Sequence, residues 1–247
     1  MLLSLIRRLA TILIAGSIAC QMAYALAALP DPKTDEPKAK TKGRETAVLA
    51  AGCFWGTQAI YKHTRGVIAV TAGYTGGAAD TAQYKLVSTG TTGHAESVEI
   101  AYDPSQISYG QILKIFFAVA HDPTQLNRQY NDIGTQYRSA IFYKNSEQKR
   151  IAEAYISQLN LAKSFPNPVV TQVASLTKFY PAEAEHQNYV ALHPDDDYVV
   201  KNELPKMAQF HESFSAMWVA SEQAAGSNTN SENMMGKAAA RGHDAKK

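Results

Sequence analysis

Cysteine is almost absent from this 247-residue sequence, which has only Cys20 and Cys53. Two cysteines are too few for a disulfide framework or for a four-cysteine zinc site. They also have different neighbours, because Cys20 follows an apolar N-terminal run whereas Cys53 lies between glycines and aromatic residues. The sequence therefore excludes the disulfide-rich and zinc-ribbon classes, and each cysteine needs a separate explanation.

The sequence also lacks a large excess of basic or acidic side chains. The chain has 24 basic and 22 acidic side chains, and its formal net charge is +2. The basic residues are scattered, so no stripe is suited to a phosphate backbone or an anionic membrane. Hydrophobic residues make up 45% of the chain, as is typical of a globular protein with an apolar core. We therefore predict no nucleic-acid partner.

The N-terminus has the pattern of a secretory signal. Arg7 and Arg8 precede an apolar run over residues 9–19, and the small-x-small sequence of residues 23–25 suits a cleavage site. We therefore predict a signal peptide over residues 1–25. It implies an exported protein, in the periplasm of a bacterium, with no membrane contact after cleavage.

Two alternatives to a cleaved signal stay open. The segment over residues 9–29 would be an uncleaved membrane anchor, or Cys20 would carry a lipid. Cleavage after Ala25 would remove Cys20 and leave Cys53 as the single cysteine, so that no internal disulfide could form.

Composition divides the rest of the chain into three parts. Residues 26–44 are rich in Pro, Lys, Asp and Thr, and we predict a flexible linker there. Residues 221–247 are rich in Ser, Asn, Ala, Gly and Lys, and we predict a disordered tail. A single folded domain over residues 45–220 would carry any activity.

Within this domain, strand-like and helix-like patterns alternate. We predict strands at residues 46–51, 67–72, 97–102 and 138–143, helices at residues 55–63 and 146–161 and from Tyr109 after a Ser108 cap, a loop at residues 73–77, and an extended segment at residues 169–176. This order predicts an α+β fold, a two-layer α/β sandwich with a ferredoxin-like βαββαβ core plus C-terminal extensions. We expect the strands to pair antiparallel.

The motif around Cys53 lies where a buried strand turns into a helix. A thiol at a helix N-terminus faces free N–H groups and the positive end of the helix dipole, which favour the thiolate. Gly52 permits a tight turn, and Gly56 permits close approach of another segment. Phe54 and Trp55 add aromatic surfaces beside the sulfur, so the motif predicts a nucleophile in a small apolar pocket. The alternative is a core cysteine among core aromatics.

A second motif places Glu96 at the start of a strand. A carboxyl group held near an apolar pocket would have a raised pKa and could donate a proton near neutral pH. The alternative is a solvated charge on an edge strand. His94 and Glu96 also match the opening of the zinc deaminase signature, but no Pro-Cys-x-x-Cys follows, so we predict no metal.

A third motif, over residues 131–139, is a turn that leads into a strand. Tyr137 at the strand start could offer its phenolic O–H to a substrate oxygen. The alternative is a half-buried turn tyrosine. Tyr84 is a weaker candidate by itself, because the chain has 13 tyrosines.

Taken together, these motifs resemble the A-type peptide methionine sulfoxide reductases. The matching stretches run in family order across nearly all of residues 45–220. They are GCFWG (52–56), AGYTGG (72–77), GHAE (93–96), YDP (102–104), HDPT (121–124), DIGTQYRS (132–139) and FYPAE (179–183), followed by His186 and Gln187.

The resemblance implies a role for each matching residue. Cys53 resembles the nucleophile that attacks the sulfoxide sulfur, and Glu96 resembles the acid that protonates the sulfoxide oxygen. Tyr84 and Tyr137 resemble the tyrosines that hydrogen-bond this oxygen. The chemistry agrees, because a polarised S=O bond needs a soft nucleophile at sulfur and a proton at oxygen. Cys53 would become a sulfenic acid as methionine is released.

The resemblance also implies a substrate-binding site, in which Phe54 and Trp55 hold the S-methyl group and Asp132 helps to organise the pocket. The substrate would be free methionine S-sulfoxide or an oxidised protein, and we expect a monomer without a bound cofactor. Many family members resolve the sulfenic acid with further cysteines near the C-terminus, but none follows Cys53 here. An external thiol is therefore expected: a thioredoxin-like protein, glutaredoxin with glutathione, or dithiothreitol in vitro.

Three other functions are compatible with parts of this pattern. A single-cysteine thiol peroxidase or oxidant sensor would use Cys53 but would not need Glu96. A peptide-binding module would use Trp55 and the tyrosines as anchors and would not need Cys53. A cysteine hydrolase would need a histidine partner for Cys53. The candidates are His63, His94, His121 and His186.

Overall fold

The computed structural model describes residues 29–220. The predicted signal peptide, which includes Cys20, lies outside the described residues, and so does the predicted tail over residues 221–247. No helix within residues 29–220 is both long and apolar enough to cross a membrane.

The described chain contains eight strands and six α-helices. The strands are β1 (Glu45–Ala51), β2 (Val67–Thr75), β3 (Ala95–Tyr102), β4 (Arg128–Gln129), β5 (Asp132–Ile133), β6 (Ser139–Tyr143), β7 (Gln172–Ser175) and β8 (Phe179–Pro181). The helices are α1 (Phe54–Lys62), α2 (Tyr84–Val87), α3 (Tyr109–Ile115), α4 (Ser146–Leu161), α5 (Tyr189–Leu192) and α6 (Leu204–Ser213). Short π-helical stretches extend α3 to Ala120 and precede α6.

Six strands form one sheet in the order β7-β6-β1-β3-β2-β8. The central four, β6-β1-β3-β2, pair antiparallel and are joined by α1 and α3, which is the strand order of a βαββαβ ferredoxin-like core. The predicted α+β fold is therefore confirmed. Only β7 departs from the expected antiparallel pairing, because it runs parallel to β6.

Both faces of the two middle strands, β1 and β3, are largely buried. Side chains alternate across a strand, so Leu49 of β1 faces the main core while Val48 faces a smaller cluster on the other side. The main core holds Ile112 of α3 and Ile151 of α4, both fully buried. Because β1 is covered on both faces, its sequence is a continuous apolar run rather than an alternating one.

The third and fourth helices begin where the sequence predicts. Ser108 caps α3 through a capping box with Gln111, in which each side chain bonds the backbone N–H of the other residue. Asn145 caps α4 by accepting the backbone N–H of Gln148 at 2.8 Å. These caps satisfy N–H groups that the helices leave free.

The predicted end of the second strand is wrong. We expected a loop from Gly73, but β2 continues to Thr75, because Gly73–Thr75 pairs with the distant strand β8. Glycine in a strand often marks close approach of another backbone. At Gly73, a Cβ would lie 2.3 Å from the carbonyl oxygen of Tyr180.

Residues 29–44 form no helix or strand, but they lie against the domain. Leu29 is buried in the main core, and Asp35 accepts the Ser108 hydroxyl at 2.5 Å and the Gly110 N–H at 2.8 Å. The Tyr155 hydroxyl of α4 donates to the carbonyl of Pro30. The prediction of a flexible linker did not anticipate this strap, because its anchors are one apolar side chain and scattered polar contacts, which produce no periodic pattern.

Candidate active site

The candidate nucleophile lies at the junction of β1 and α1. Cys53 is the N-cap of α1, and Gly52 before it has a φ of 83°. A Cβ on residue 52 would lie 2.7 Å from the Cβ of Gln129, so both the backbone turn and the space require glycine. The Cys53 carbonyl accepts the hydroxyl of Thr57, which ties the cap to the first turn.

The helix end is not the strongest influence on the Cys53 thiol in the unliganded site. Burial raises the pKa of the Cys53 thiol well above its usual range, and the charges of Glu96 and Glu203 add to this. The hydrogen bond from the backbone N–H of Trp55 lowers the pKa of Cys53, as expected for a thiol at a helix N-terminus. This effect is smaller than that of burial. Desolvation therefore exceeds the helix effect and favours the thiol form of Cys53 in the unliganded site.

Glu96 occupies the start of β3, opposite Tyr74 of β2, and only 2% of it is exposed. Its carboxylate accepts the backbone N–H of Phe54 at 3.1 Å, beside the nucleophile. Burial raises the pKa of Glu96 to about 8, because the Phe54 hydrogen bond that opposes burial is weaker. Burial therefore favours the protonated form of Glu96 near neutral pH.

One cavity of about 320 Å³ joins these groups. It contains all seven site residues that the sequence predicts, together with three that it does not. The lining residues are Cys53, Phe54, Trp55, Tyr84, Glu96, Asp132, Tyr137, Tyr189, Asp196 and Tyr198.

Two of the tyrosines that the sequence predicts line this cavity. Tyr84 begins α2 and Tyr137 ends a 3₁₀ turn before β6, and both are half-buried. Burial raises the pKa of Tyr84 to about 12, and burial together with Glu96 raises the pKa of Tyr137 further. Both phenols therefore keep their protons and can donate hydrogen bonds.

The aromatic wall of the cavity is held by stacking. Trp55 stacks on Tyr189 with ring centroids 3.6 Å apart and an interplanar angle of 6°. Tyr198 contacts Trp55 edge-on at 5.7 Å, and Phe54 is fully buried beside it. Stacked and edge-to-face pairs fix ring orientation, so the wall is rigid.

Glu183 and His186 contact Tyr84 but do not line the cavity. Glu183 accepts the backbone N–H of Tyr84 and the hydroxyl of Tyr74, both at 2.8 Å. The ring of His186 lies 4.2 Å from that of Tyr84 and 5.6 Å from that of Phe54. The FYPAE motif and the following histidine therefore support the site without lining it.

Asp132 lies on the β4–β5 hairpin and accepts the hydroxyl of Tyr198 at 2.5 Å. This bond joins the hairpin to the C-terminal segment across the cavity. Sequence reasoning missed the three residues of that segment, Tyr189, Asp196 and Tyr198. Their signal was weak: two aromatics and an aspartate within twenty residues of His186, in a stretch without clear periodicity.

Three of the four histidines considered as partners of Cys53 are engaged elsewhere, and the fourth, His186, packs against the ring of Tyr84. His94 bonds the carbonyl of Ala78, and His121 bonds the hydroxyl of Ser139. His63 stacks on Trp218. In the part of the chain that the structure describes, no histidine lines the cavity, so the geometry does not support a cysteine hydrolase. Within the same residues, no cluster of three or more His, Cys, Asp or Glu could hold a metal ion.

Comparisons with known proteins agree with this geometry. A family model described as peptide methionine sulfoxide reductase matches residues 45–218. The chain is 54% identical to peptide methionine sulfoxide reductase MsrA 2 of Mesorhizobium japonicum over 176 residues, which cover 71% of this chain and 90% of that protein. It is 51% identical to the MsrA 2 protein of Synechocystis over 189 residues, covering 76% and 88%.

A solved structure shows the same fold. Methionine sulfoxide reductase A of Corynebacterium diphtheriae superposes with a TM-score of 0.54 at 32% identity, over 68% of this chain and 91% of that one. The similarity extends across the strands and helices that carry the cavity. The chain therefore belongs to the A-type peptide methionine sulfoxide reductase family and is a thiol-dependent oxidoreductase that reduces methionine sulfoxide.

Proposed function

We propose that Cys53 is the nucleophile and Glu96 the proton donor of this reduction, and that the substrate is the S epimer of methionine sulfoxide. The observation that carries the proposal is that one cavity is lined by a buried thiol, a buried carboxyl group, the phenols Tyr84 and Tyr137, and an aromatic wall. The thiol can attack the sulfoxide sulfur, and the carboxyl group can protonate the sulfoxide oxygen. The phenols can hold that oxygen, and the aromatic wall can hold the S-methyl group.

In the proposed reaction, the Cys53 thiolate forms a bond to the sulfoxide sulfur while Glu96 gives its proton to the sulfoxide oxygen. The oxygen then passes to the Cys53 sulfur as hydroxyl, while the S–O bond of the substrate and the transient bond between the two sulfur atoms both break. Methionine leaves, Cys53 remains as sulfenic acid, and Glu96 regains the proton that the thiol lost. The substrate sulfur is reduced by two electrons and the cysteine sulfur is oxidised by two.

Tyr84 and Tyr137 would hold the sulfoxide oxygen, because their phenols keep their protons. Phe54 and Trp55 would hold the S-methyl group. Because oxygen donors and methyl pocket occupy fixed places around a chiral sulfur, only one epimer fits. Asp132 positions Tyr198 against Trp55 through its hydrogen bond with the Tyr198 hydroxyl.

An external thiol would restore Cys53. No cysteine follows Cys53 in residues 54–247, and Cys53 is the free cysteine of the described residues. A thioredoxin-like protein, or glutaredoxin with glutathione, would attack the sulfenic acid and then reduce the mixed disulfide. The substrates would be both free methionine sulfoxide and oxidised proteins, and the enzyme would act as a monomer.

The test is an assay with the two separated epimers of a peptide-linked methionine sulfoxide and dithiothreitol. We expect the protein to convert the S epimer to methionine and to leave the R epimer unchanged. The Cys53→Ser variant should be inactive. Equal consumption of both epimers, or activity in the serine variant, would overturn the assignment.

We also propose that the enzyme is exported, as the N-terminal sequence pattern indicates. Its protein substrates would then be ones that meet oxidants outside the cytoplasm. The N-terminal sequence of protein recovered from cells tests this. A start near residue 26 is expected, whereas an intact Met1 or an acylated Cys20 would replace the cleaved signal with one of the two alternatives.

A further inference from the structure

A buried ion pair lies behind the nucleophile, outside the residues that line the cavity. Glu203 is fully buried, and one of its carboxylate oxygens accepts the Lys206 ammonium at 3.0 Å. The other oxygen, Oε1, has no partner among the described residues. Burying two charges is costly, and a carboxylate with an unpaired oxygen adds to the cost. Packing alone therefore does not explain why this ion pair is buried.

The position of Glu203 relates it directly to the helix that carries Cys53. Its Oε2 atom occupies the place where a side chain on Gly56 would begin, only 1.7 Å from an ideal Cβ there. Gly56 is the third residue of the helix capped by Cys53. The carboxylate therefore lies against the first turn of α1, where the helix dipole presents its positive end.

Lys206 is the counter-charge of this carboxylate. Burial would lower the pKa of Lys206, but Glu203 raises it above its ordinary value. Burial raises the pKa of Glu203, and Lys206 opposes this. The buried ammonium therefore remains protonated and provides the counter-charge that an ionised Glu203 needs.

We propose that Glu203 is a positioning residue that holds Cys53 in its thiol form in the unliganded site, with Lys206 as its counter-charge. The inference rests on the proposed role of Cys53. A negative charge at the first turn cancels the effect of the helix dipole and repels a thiolate. The nucleophile would thus stay unreactive towards adventitious oxidants and alkylating agents until substrate enters.

Other charged and titratable groups also lie near Cys53, and they determine how much of the shift in the Cys53 pKa is due to Glu203. Glu96 of β3 raises the Cys53 pKa more than Glu203 does, and Lys206 lowers it by less than Glu203 raises it. The remaining titratable groups of the cavity are Tyr84, Asp132, Tyr137, Tyr189, Asp196 and Tyr198. Because Glu203 does not line the cavity, it can be changed without removing a wall of the site.

The experiment measures the alkylation rate of Cys53 by iodoacetamide as a function of pH in the full chain. Glu203→Gln should move the midpoint of this profile down by about one unit or more, which is about a tenfold rise in thiolate at a given pH. Glu147→Gln is the matched control, because Glu147 and Arg150 form another i,i+3 pair on the surface of α4. Its profile should equal that of the unmodified protein.

An unchanged midpoint in a folded Glu203→Gln variant would overturn the proposal, because a merely structural role lowers the melting temperature without moving the profile. If Glu203→Gln does not fold, the double variant Glu203→Gln with Lys206→Met replaces the ion pair by a neutral one. Its midpoint should also fall, by less, and an unchanged midpoint there would equally reject the idea. Glu203→Asp should keep the midpoint near that of the unmodified protein.

Alkylation does not depend on sulfoxide reduction, so the two proposals can fail separately. Activity retained in Cys53→Ser would reject Cys53 as the nucleophile while leaving the alkylation profiles unaffected. A normal profile in Glu203→Gln, with Cys53→Ser inactive, would reject only the role of Glu203.

Discussion

At the scale of single residues, the site depends on two acids that both keep their protons at rest. Burial raises the pKa of Cys53 well above its usual range and that of Glu96 to about 8. A neutral thiol and a neutral carboxyl group can share a dry cavity without the repulsion that two anions would suffer. Substrate binding must then release one proton and direct the other to oxygen.

The first prediction concerns Glu96 as proton donor. Glu96→Gln keeps a hydrogen-bond donor but has no proton to give, so kcat with methionine S-sulfoxide should fall by about 10²–10⁴. The matched control is Glu99→Gln, three residues along β3, where the side chain points to the other face of the sheet. Near-normal turnover in Glu96→Gln would show that another group supplies the proton.

The second prediction concerns the pH dependence of the reaction. An acid with a pKa of about 8 in the free enzyme is lost as the pH rises through that value, so kcat/KM should decline above about pH 8. The residual activity of Glu96→Gln should lack this decline. A descending limb that persists in the variant would assign it to a different group.

The same shift predicts a pH effect on stability. The folded state holds the Glu96 proton up to about pH 8, whereas an ordinary glutamic acid releases it near 4.5. The free energy of unfolding should therefore fall as the pH rises between these values, on the order of a few kcal/mol. Urea unfolding at several pH values should show this loss in the unmodified protein and a smaller loss in Glu96→Gln.

At the scale of elements, α1 connects the nucleophile to the C-terminal helix. An exposed Gly→Ala change in a helix normally stabilises by about 1 kcal/mol. Gly56→Ala should instead cost roughly 1–3 kcal/mol, because its Cβ would overlap the Glu203 carboxylate. Urea unfolding measures the effect. A stabilised Gly56→Ala variant would show that the C-terminal helix does not contact α1 as closely as described.

The strap over residues 29–44 gives a prediction for α3. Asp35 accepts the Ser108 hydroxyl and the Gly110 N–H at the start of this helix, so Asp35→Ala should cost about 1 kcal/mol in unfolding free energy. Asp31→Ala is the control, because Asp31 forms an exposed ion pair with Lys114 that is worth little. Equal stability of both variants would mean that the strap does not cap the helix.

The elements that could be predicted are those with local causes. The long helix α4 was predicted with the bounds that the structure shows, and α3 was predicted from its cap, since caps and periodicity are encoded in neighbouring residues. The extent of β2 could not be predicted, because its last residues are fixed by pairing with β8, more than one hundred residues later. The pairing of β2 with β8 therefore fixes the end of β2, which the local sequence pattern does not specify.

The candidate site shows the same distinction between features with local causes and features that depend on distant parts of the chain. Cys53, Glu96 and Tyr137 lie in recognisable motifs next to the ends of helices, strands or turns, and all three line the cavity. The thiol form of Cys53 could not be predicted, because it depends on burial and on Glu203 from a different part of the chain. Tyr189 and Tyr198 were missed for a similar reason, since only the folded C-terminal segment brings them to Trp55.

At the scale of the whole molecule, the fold brings together five segments that are remote in sequence. The β1–α1 junction supplies Cys53, β3 supplies Glu96, α2 supplies Tyr84, and the β4–β5 hairpin supplies Asp132. The C-terminal segment closes the remaining side. The antiparallel core positions the first two, because β1 and β3 are neighbours in the sheet.

The most direct test of the account is a single-turnover experiment without reductant. The protein lacking residues 1–25 is mixed with excess methionine S-sulfoxide and dimedone, and both methionine and modified cysteine are quantified. We predict one methionine per enzyme and one dimedone adduct, on Cys53, because no second thiol is present to resolve the sulfenic acid. More than one methionine per enzyme, or methionine without an adduct on Cys53, would contradict the account.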